Sequence, residues 1–391
     1  MPQFKPEQLI RRMCAAVVIL LSAIGVSCSN LPPSEVTGTC AETANAAGWL
    51  PPQAQGAQSE LDFDELIARL AGTKVTLIGE YHQRYDNHLT QLEVLCRLHR
   101  KTPDIALGVE FVQRPFQPVM DAFIVGEIDE RDLLESTEYF TRWGYDYRVY
   151  APLLQFARDN QIPVVALNAA TELTTKAGFA GLDALTDDER SGVARDIEPA
   201  GEAYRERLKA IFDQHPGSPH QDLERFTLIQ LLWDETMAES AAHYLLENPG
   251  RRMLVIAGNG HVGFLDAMPN RIERRIDGEV IAIAQEIRGS STGTDAHYTL
   301  HSQDLELPPA GLLGVMLDVT ETAIKVQSVI PDSGALEAGI QPGDLLRAIN
   351  GNNVPTFEHV RLEMWNQRVG AVVTVEIERD GVRHHLPVRL R

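Results

Sequence analysis

Three shortages narrow the field before any motif is considered. Cysteine occurs four times in 391 residues, too seldom for a disulfide-built scaffold of this length. Basic charge is in deficit. Thirty-five Lys+Arg face 55 Asp+Glu, a formal net charge of −20, which argues against nucleic-acid binding because phosphate contacts need concentrated cations. No CxxC, HExxH or GxxxxGK[ST] occurs, so the simplest zinc-finger, zincin and P-loop chemistries are excluded. What is present is 44% hydrophobic residues, which suits packed domains rather than a disordered chain. The length indicates two domains or three.

The N-terminus has the form of a targeting segment. Lys5, Arg11 and Arg12 precede an apolar stretch from Met13 to Val26, the order of a secretory signal. The stretch is shorter than the roughly 20 residues of a spanning helix. It ends Gly25-Val26-Ser27-Cys28, which resembles a bacterial lipobox, although Gly25 stands where Leu is usual. The expectation is a signal peptide over 1–27, lipidation of Cys28, and a place in the bacterial cell envelope, lipid-anchored and facing the periplasm or the exterior. Residues 28–60, rich in Pro, Ala, Gly and Gln, are expected to form a flexible tether. A Cys40–Cys96 disulfide is one option in an oxidising compartment. Cys96 as a small buried hydrophobe is the favoured one.

Over 61–300, short apolar runs alternate with helical patterns. The runs are Val75–Ile78, Ile105–Val109, Pro163–Leu167, Met253–Ala257 and Val280–Ala284. Unbroken runs of this length suit strands buried on both faces, hence a largely parallel sheet. Between them, Asn87–Arg100, Gln117–Val125, Val149–Asp159, Ala200–Phe212 and Leu223–Leu246 have helical spacing. The fold class is therefore α/β, a largely parallel sheet with flanking helices.

Polar residues recur at one relative place, just past these runs: Glu80, Tyr81 and His82, then Glu110, then Asn168, then Asn259 and His261. Parallel strands end on a common edge, where such sheets bind ligands. Two carboxylates, two imidazoles and two amides should thus meet on one rim. Each also has a plain structural role open to it: the acids as helix-terminal residues, the imidazoles as hydrogen-bonded loop residues, Asn168 as a turn residue. Gly258-x-Gly260-x-x-Gly263 matches a dinucleotide fingerprint, but it falls late in the domain and Pro269 interrupts the helix that should follow. The rim chemistry remains open between a divalent metal on Glu80, His82, Glu110 and His261, acid–base catalysis by the same four, and axial ligation of haem.

The ordered set Glu80-x-His82-x5-His88-x2-Gln91, Gly108-x-Glu110, Gln117, Trp143 through Tyr150-x-Pro152, Ala166-Leu167-Asn168, Gln230 through Met237-Ala238 and Ala257-Gly-Asn-Gly-His261 resembles the ChaN-like haem-binding uptake lipoproteins. The match covers about residues 61–288. That family is similar to a wider group holding Tiki/TraB and erythromycin esterase-like proteins, some of them hydrolases. The resemblance implies haem, or alternatively a divalent metal ion, and leaves enzymatic activity open. The residues it brings forward for cofactor binding are Tyr81, His82, His88, Arg114, Tyr150, Asn168, Asn259 and His261. His82, His261 and Tyr81 are the axial-ligand candidates. Haem propionates want cations, for which Arg84, Arg114, Arg142 and Arg148 lie close in sequence. Trp143, Tyr145, Tyr147 and Tyr150 are candidates to line a planar-ligand pocket.

Pro308-Pro309 marks a boundary. Residues 308–391 carry short strands and the hairpin turns Asn350-Gly351 and Asp380-Gly381. Gly311-Leu-Leu-Gly-Val315, Ser333-Gly-Ala-Leu-Glu-Ala-Gly339 and Pro342-Gly-Asp-Leu-Leu346 resemble a small β-rich PDZ domain of the bacterial envelope-protease type. That implies capture of a peptide or protein C-terminus by strand addition, with Leu313, Gly314 and Val315 on the carboxylate loop. Three functions remain: a haem- or iron-binding envelope lipoprotein with a recruiting module, a metal-dependent hydrolase, and a non-enzymatic envelope scaffold. Membrane contact would come through the N-terminal lipid. The oligomeric state stays open.

Overall fold

The computed structural model describes residues 44, 47–56, 60–214, 222–287, 293–320 and 323–391. The expected signal peptide, Cys28 and Cys40 lie outside the described residues.

All five apolar runs form strands: β3 (Val75–Glu80), β4 (Ile105–Gln113), β5 (Val164–Asn168), β6 (Arg252–Gly258) and β7 (Val280–Ile287). They join β1 (Ala54–Gly56), β2 (Glu60–Leu61) and β8 (Tyr298–Ser302) in an eight-stranded sheet, order β2-β1-β8-β7-β3-β6-β4-β5. From β8 to β5 every neighbouring pair is parallel. Every residue of β3 and β4 is buried, which is why these strands are continuously apolar and do not alternate.

The helix Leu223–Glu247 covers one face. Its Met237, Ala238, Ala241 and Leu245 share a core with Leu77, Met253, Val255 and Ala282 of the sheet. Asp222 caps its start, accepting from the Arg225 N–H at 2.8 Å. The helix Tyr85–Lys101 follows β3 and is buried along most of its length.

Part of the segment 28–60, expected as a tether, is packed on the domain. Ala54–Gly56 pair antiparallel with β8, and buried Trp49 donates its indole N–H to Thr90 at 3.1 Å. An aromatic with a satisfied N–H and apolar neighbours holds this segment on the domain. Cys96, favoured above as a free hydrophobe, is disulfide-bonded. The pairing with Cys40 lies outside the described residues.

The C-terminal sheet is antiparallel: β9 (Val315–Val319), β10 (Ile324–Val329), β11 (Leu345–Ile349), β13 (Val372–Arg379) and β14 (Val382–Arg389) in the order β14-β13-β11-β10-β9, with β12 (Asn352–Asn353) paired to β11. β9 is an edge strand. Asn350 and Gly351 have φ of 51° and 87°, and Asp380 and Gly381 have 51° and 76°, the left-handed pairs that hairpin turns require.

The two sheets belong to one compact unit and touch through the helix Phe357–Met364 and its flank. Arg131 pairs with Glu363 at 2.7 Å. Arg361 donates to the Gly144 carbonyl at 2.5 Å and lies 4.7 Å over the Phe140 ring. Trp365 meets Tyr147 edge-on at 5.0 Å. Arg148 donates to the Pro308 carbonyl at 2.7 Å.

Candidate functional site

Parallel register brings the strand ends together as expected. Glu80, the last residue of β3, lies beside Gly258, the last of β6. Glu110 is inside β4, not just after it. There the β4–β5 ladder shifts register between Val109 and Gln113, a bulge that re-aims side chains at the sheet edge.

Glu80 is buried and fully engaged. It accepts from the Tyr150 hydroxyl at 2.7 Å and from Gln91 at 2.8 Å, and meets His82 Nδ1 at 2.9 Å. Burial opposes its charge, but nearby His88 and the bonds from His82 and Tyr150 outweigh that and hold its pKa down at about 2. Glu80 is therefore ionised and fixes a proton on His82 Nδ1, which in the neutral imidazole leaves Nε2 as acceptor or ligand. Burial also works against a charge on His82, yet the Glu80 bond and the Glu110 carboxylate raise its pKa above the ordinary value.

His261 repeats the arrangement from the far side. Its Nδ1 meets Asp234 at 2.6 Å, and Asp234 accepts from the Tyr204 hydroxyl at 2.7 Å. Its Nε2 lies 3.5 Å from Glu110. Burial disfavours the imidazolium, but Asp234 and then Glu110 raise its pKa to about 9. Glu110 in turn accepts the Gly258 N–H at 2.7 Å. A side chain at Gly258 would put Cβ 3.2 Å from His82 Nε2 and 3.7 Å from Glu110 Oε2, so both groups approach the same patch of backbone. The site is two imidazoles, each fixed through Nδ1 by a buried carboxylate, with Glu110 between them.

Aromatic walls stand on one side. Trp143 and Tyr145 contact His82 at ring distances of 4.7 and 4.8 Å. Trp143 donates its indole N–H to the Tyr150 hydroxyl at 3.2 Å. Tyr150 thus bridges Trp143 to Glu80 rather than offering a free phenol.

The other residues expected at the site divide. His88 meets the His82 carbonyl through Nε2 at 3.1 Å and Gln91 through Nδ1 at 3.1 Å; it props the loop. The Tyr81 N–H donates to Asn87 at 3.0 Å. Asn168 accepts from the next residue's N–H at 2.9 Å, a turn role. Asn259 clamps Gln285 with two backbone bonds, 2.7 and 3.1 Å. Arg114 turns to the helix Leu223–Glu247, binding Ser240, the Thr236 carbonyl and Glu239. The expected cation patch is compensated: Arg84, Arg114, Arg142 and Arg148 pair with Asp86, Glu239, Glu172 and Asp146 at 2.9, 3.3, 2.8 and 2.6 Å. Among the described residues no group of three His, Cys, Asp or Glu side chains is arranged to hold a metal ion. Asp234, Gln91 and Tyr204 are the functional neighbours that sequence reasoning assigned no role. The signal for Asp234 is its place in Asp234-Glu235-Thr236, three consecutive polar residues between apolar Leu231-Leu232-Trp233 and Met237-Ala238.

In the C-terminal domain, Gly314 has φ 82°, and a Cβ there would fall 2.2 Å from that of Ser333. Only glycine fits this turn. The Leu313 and Gly314 N–H groups have no acceptor among the described residues. Beside them, edge strand β9 and the helix Phe357–Met364 flank an apolar cavity of about 490 Å³. Leu312, Met316 and Phe357 are exposed around it. This is the arrangement that strand addition by a peptide requires.

Residues 66–272 match the family described as haem-binding uptake, Tiki superfamily, ChaN, and residues 311–390 match the PDZ domain. The solved structure of cofacial heme binding to ChaN of Campylobacter jejuni superposes with a TM-score of 0.54 at 15% identity, covering 65% of this chain and 97% of that one. At that identity the likeness shows the fold alone. The chain is 25% identical over 132 residues to periplasmic serine endoprotease DegP of Escherichia coli (strain K12), covering 34% of this chain and 26% of DegP. It is 44% identical over 63 residues to putative zinc metalloprotease Atu1380 of Agrobacterium fabrum, 16% of each. The chain thus spans about a quarter or less of the length of these curated relatives.

Proposed function

The chain belongs to the ChaN family of haem-binding uptake proteins in the Tiki superfamily, and from that premise we propose that it holds haem at the His82–His261 rim and recruits a protein C-terminus through its PDZ domain. The observation that carries the first half is the pair of imidazoles fixed through Nδ1 by Glu80 and Asp234. Carboxylates bonded to Nδ1 in this way set the tautomer and strengthen Nε2 as a ligand to iron. The donor set fits the group: imidazole nitrogen for the metal, Trp143 and Tyr145 for the planar ring. Haem would supply the iron centre. The chain's own residues orient the ligating imidazoles. The related ChaN of Campylobacter jejuni binds heme cofacially, so stoichiometry belongs in the test.

Hemin titration of the whole chain, followed at the Soret band, tests this. Binding should be saturable, and His82→Ala or His261→Ala should weaken it at least tenfold. A spectrum identical in the unaltered chain and both variants would exclude the rim as the site.

A metal-dependent hydrolase is the second reading, favoured by the carboxylate–imidazole pairs that also typify metal ligands. It predicts a divalent ion retained after purification and ester or peptide cleavage abolished by Glu110→Ala.

An envelope location with a lipid on Cys28 is part of the proposal. The disulfide at Cys96 supports an oxidising compartment. Among the described residues no helix is long and apolar enough to cross a membrane. Labelled fatty acid should be incorporated by the unaltered chain and not by Cys28→Ala.

A further inference from the structure

The peptide groove is not built by the C-terminal domain alone. Leu313, Met316 and Met364 line it from that domain, and Phe140, Asp146 and Arg148 line it from the α/β domain. The ligand class this implies depends on which of its cations can exchange its partner for a ligand. Two guanidinium groups line the groove. Arg361 is engaged by the Gly144 carbonyl and lies over Phe140. Arg148 is held by the Pro308 carbonyl at 2.7 Å, three residues ahead of Gly311, and by Asp146 at 2.6 Å. Asp146 is a close sequence neighbour and its side chain is 43% exposed. Arg148 is 22% exposed and grips Asp146 through Nε and Nη2, so the fork is already set for a carboxylate, and water reaching Asp146 screens that partner and lets a second carboxylate exchange with it.

We propose that Arg148, from the α/β domain, is part of the peptide site and supplies the positive charge for the ligand's terminal carboxylate. The partner is an extended protein C-terminus with an apolar last side chain. This rests on the peptide-binding reading of the PDZ domain. Binding exchanges one ion pair for another: the ligand carboxylate replaces Asp146 on the guanidinium fork. The bond to the Pro308 carbonyl keeps that fork beside the loop. The Leu313 and Gly314 N–H groups, which lack acceptors among the described residues, complete the carboxylate's donors. Leu313, Met316 and Met364 receive the last side chain.

The test uses the full chain and a fluorescent decapeptide ending in valine, as the free acid and as the amide, followed by anisotropy. The unaltered chain should bind the acid more tightly than the amide. Arg148→Gln should weaken binding of the acid at least fivefold and narrow the gap between acid and amide. Asp146→Asn, which removes the competing carboxylate, should tighten binding of the acid. A purely structural Arg148–Asp146 pair would move both variants the same way. Matching melting curves establish that both substitutions leave the fold intact. Affinity for the acid unmoved by Arg148→Gln, or not raised by Asp146→Asn, overturns the assignment while the PDZ reading stands. A peptide that binds no form of the chain removes that reading, and this assignment with it.

Discussion

At Gly258 a missing side chain decides how closely His82 approaches Glu110. Its φ of −57° and ψ of 146° are open to any residue, so glycine is there for space rather than for conformation. A Cβ would sit 2.9 Å from His82 Cε1. Gly258→Ala should therefore displace the imidazole and lower hemin affinity by about tenfold, or ~1.4 kcal/mol, with little change in melting temperature. Hemin titration beside a thermal melt separates the two effects. His261 makes a second prediction. Its pKa is raised to about 9 in the folded chain against an ordinary value of about 6.5. A raised folded pKa means stabilisation that is complete below about pH 6.5 and lost as pH rises through about 9. Melting temperature should fall across that window, the total effect being on the order of a few kcal/mol. Asp234→Asn should flatten the slope, and a profile of the variant that keeps the unaltered slope would rule out Asp234 as its cause. Ligation through His261 Nε2 needs the proton gone, so hemin affinity at that position should rise over the same interval.

Among elements, the helix Leu223–Glu247 does most to join site and core. One turn of it holds three buried polar residues. Asp234 steers His261, Thr236 accepts the Ala194 N–H at 3.0 Å, and Glu235 gathers Arg271, Arg274 and Arg275. Glu235 has no exposed surface, so its removal leaves three guanidinium groups without their shared anion. Glu235→Ala should cost about 3–5 kcal/mol in denaturant unfolding, and a loss below about 1 kcal/mol would mean the arginines find other partners. Element by element, legibility followed burial. β3 through β7 were visible because strands covered on both faces are written as unbroken apolar runs. Glu80, His82, Glu110 and His261 were visible because they follow or end those runs. β1 and β8 were hidden, since Ala54–Gly56 is three residues long and Tyr298–Ser302 is only partly buried. Asp234 was hidden for a different reason. It reaches the rim from the middle of a helix, by a contact no local spacing encodes. Asn168 and Asn259 stand at strand ends like the site residues, but their side chains serve the backbone.

On the scale of the whole molecule, the α/β and PDZ domains are joined by paired charge and stacked rings as well as by chain. Glu363 is nearly buried and accepts from Arg131 at 2.7 Å and from Asn352 at 2.8 Å. Glu363→Ala should loosen the joint by about 1–3 kcal/mol and raise hydrogen exchange across 139–150, while the β3 and β6 amides stay protected. Uniform protection in that variant would show that the rings alone suffice. Pro308-Pro309 lie between the last strand of the first sheet, β8, and the first strand of the second, β9.

Gly144 gives that boundary another meaning. Its neighbours Trp143 and Tyr145 lean on His82, while its own carbonyl is held by Arg361 of the C-terminal domain. Severing the chain at the prolines would leave one fragment with an unbraced wall beside its histidine and the other with a groove missing a side. Each half carries part of its partner's equipment, so the smallest faithful unit for studying either activity is the two-domain chain.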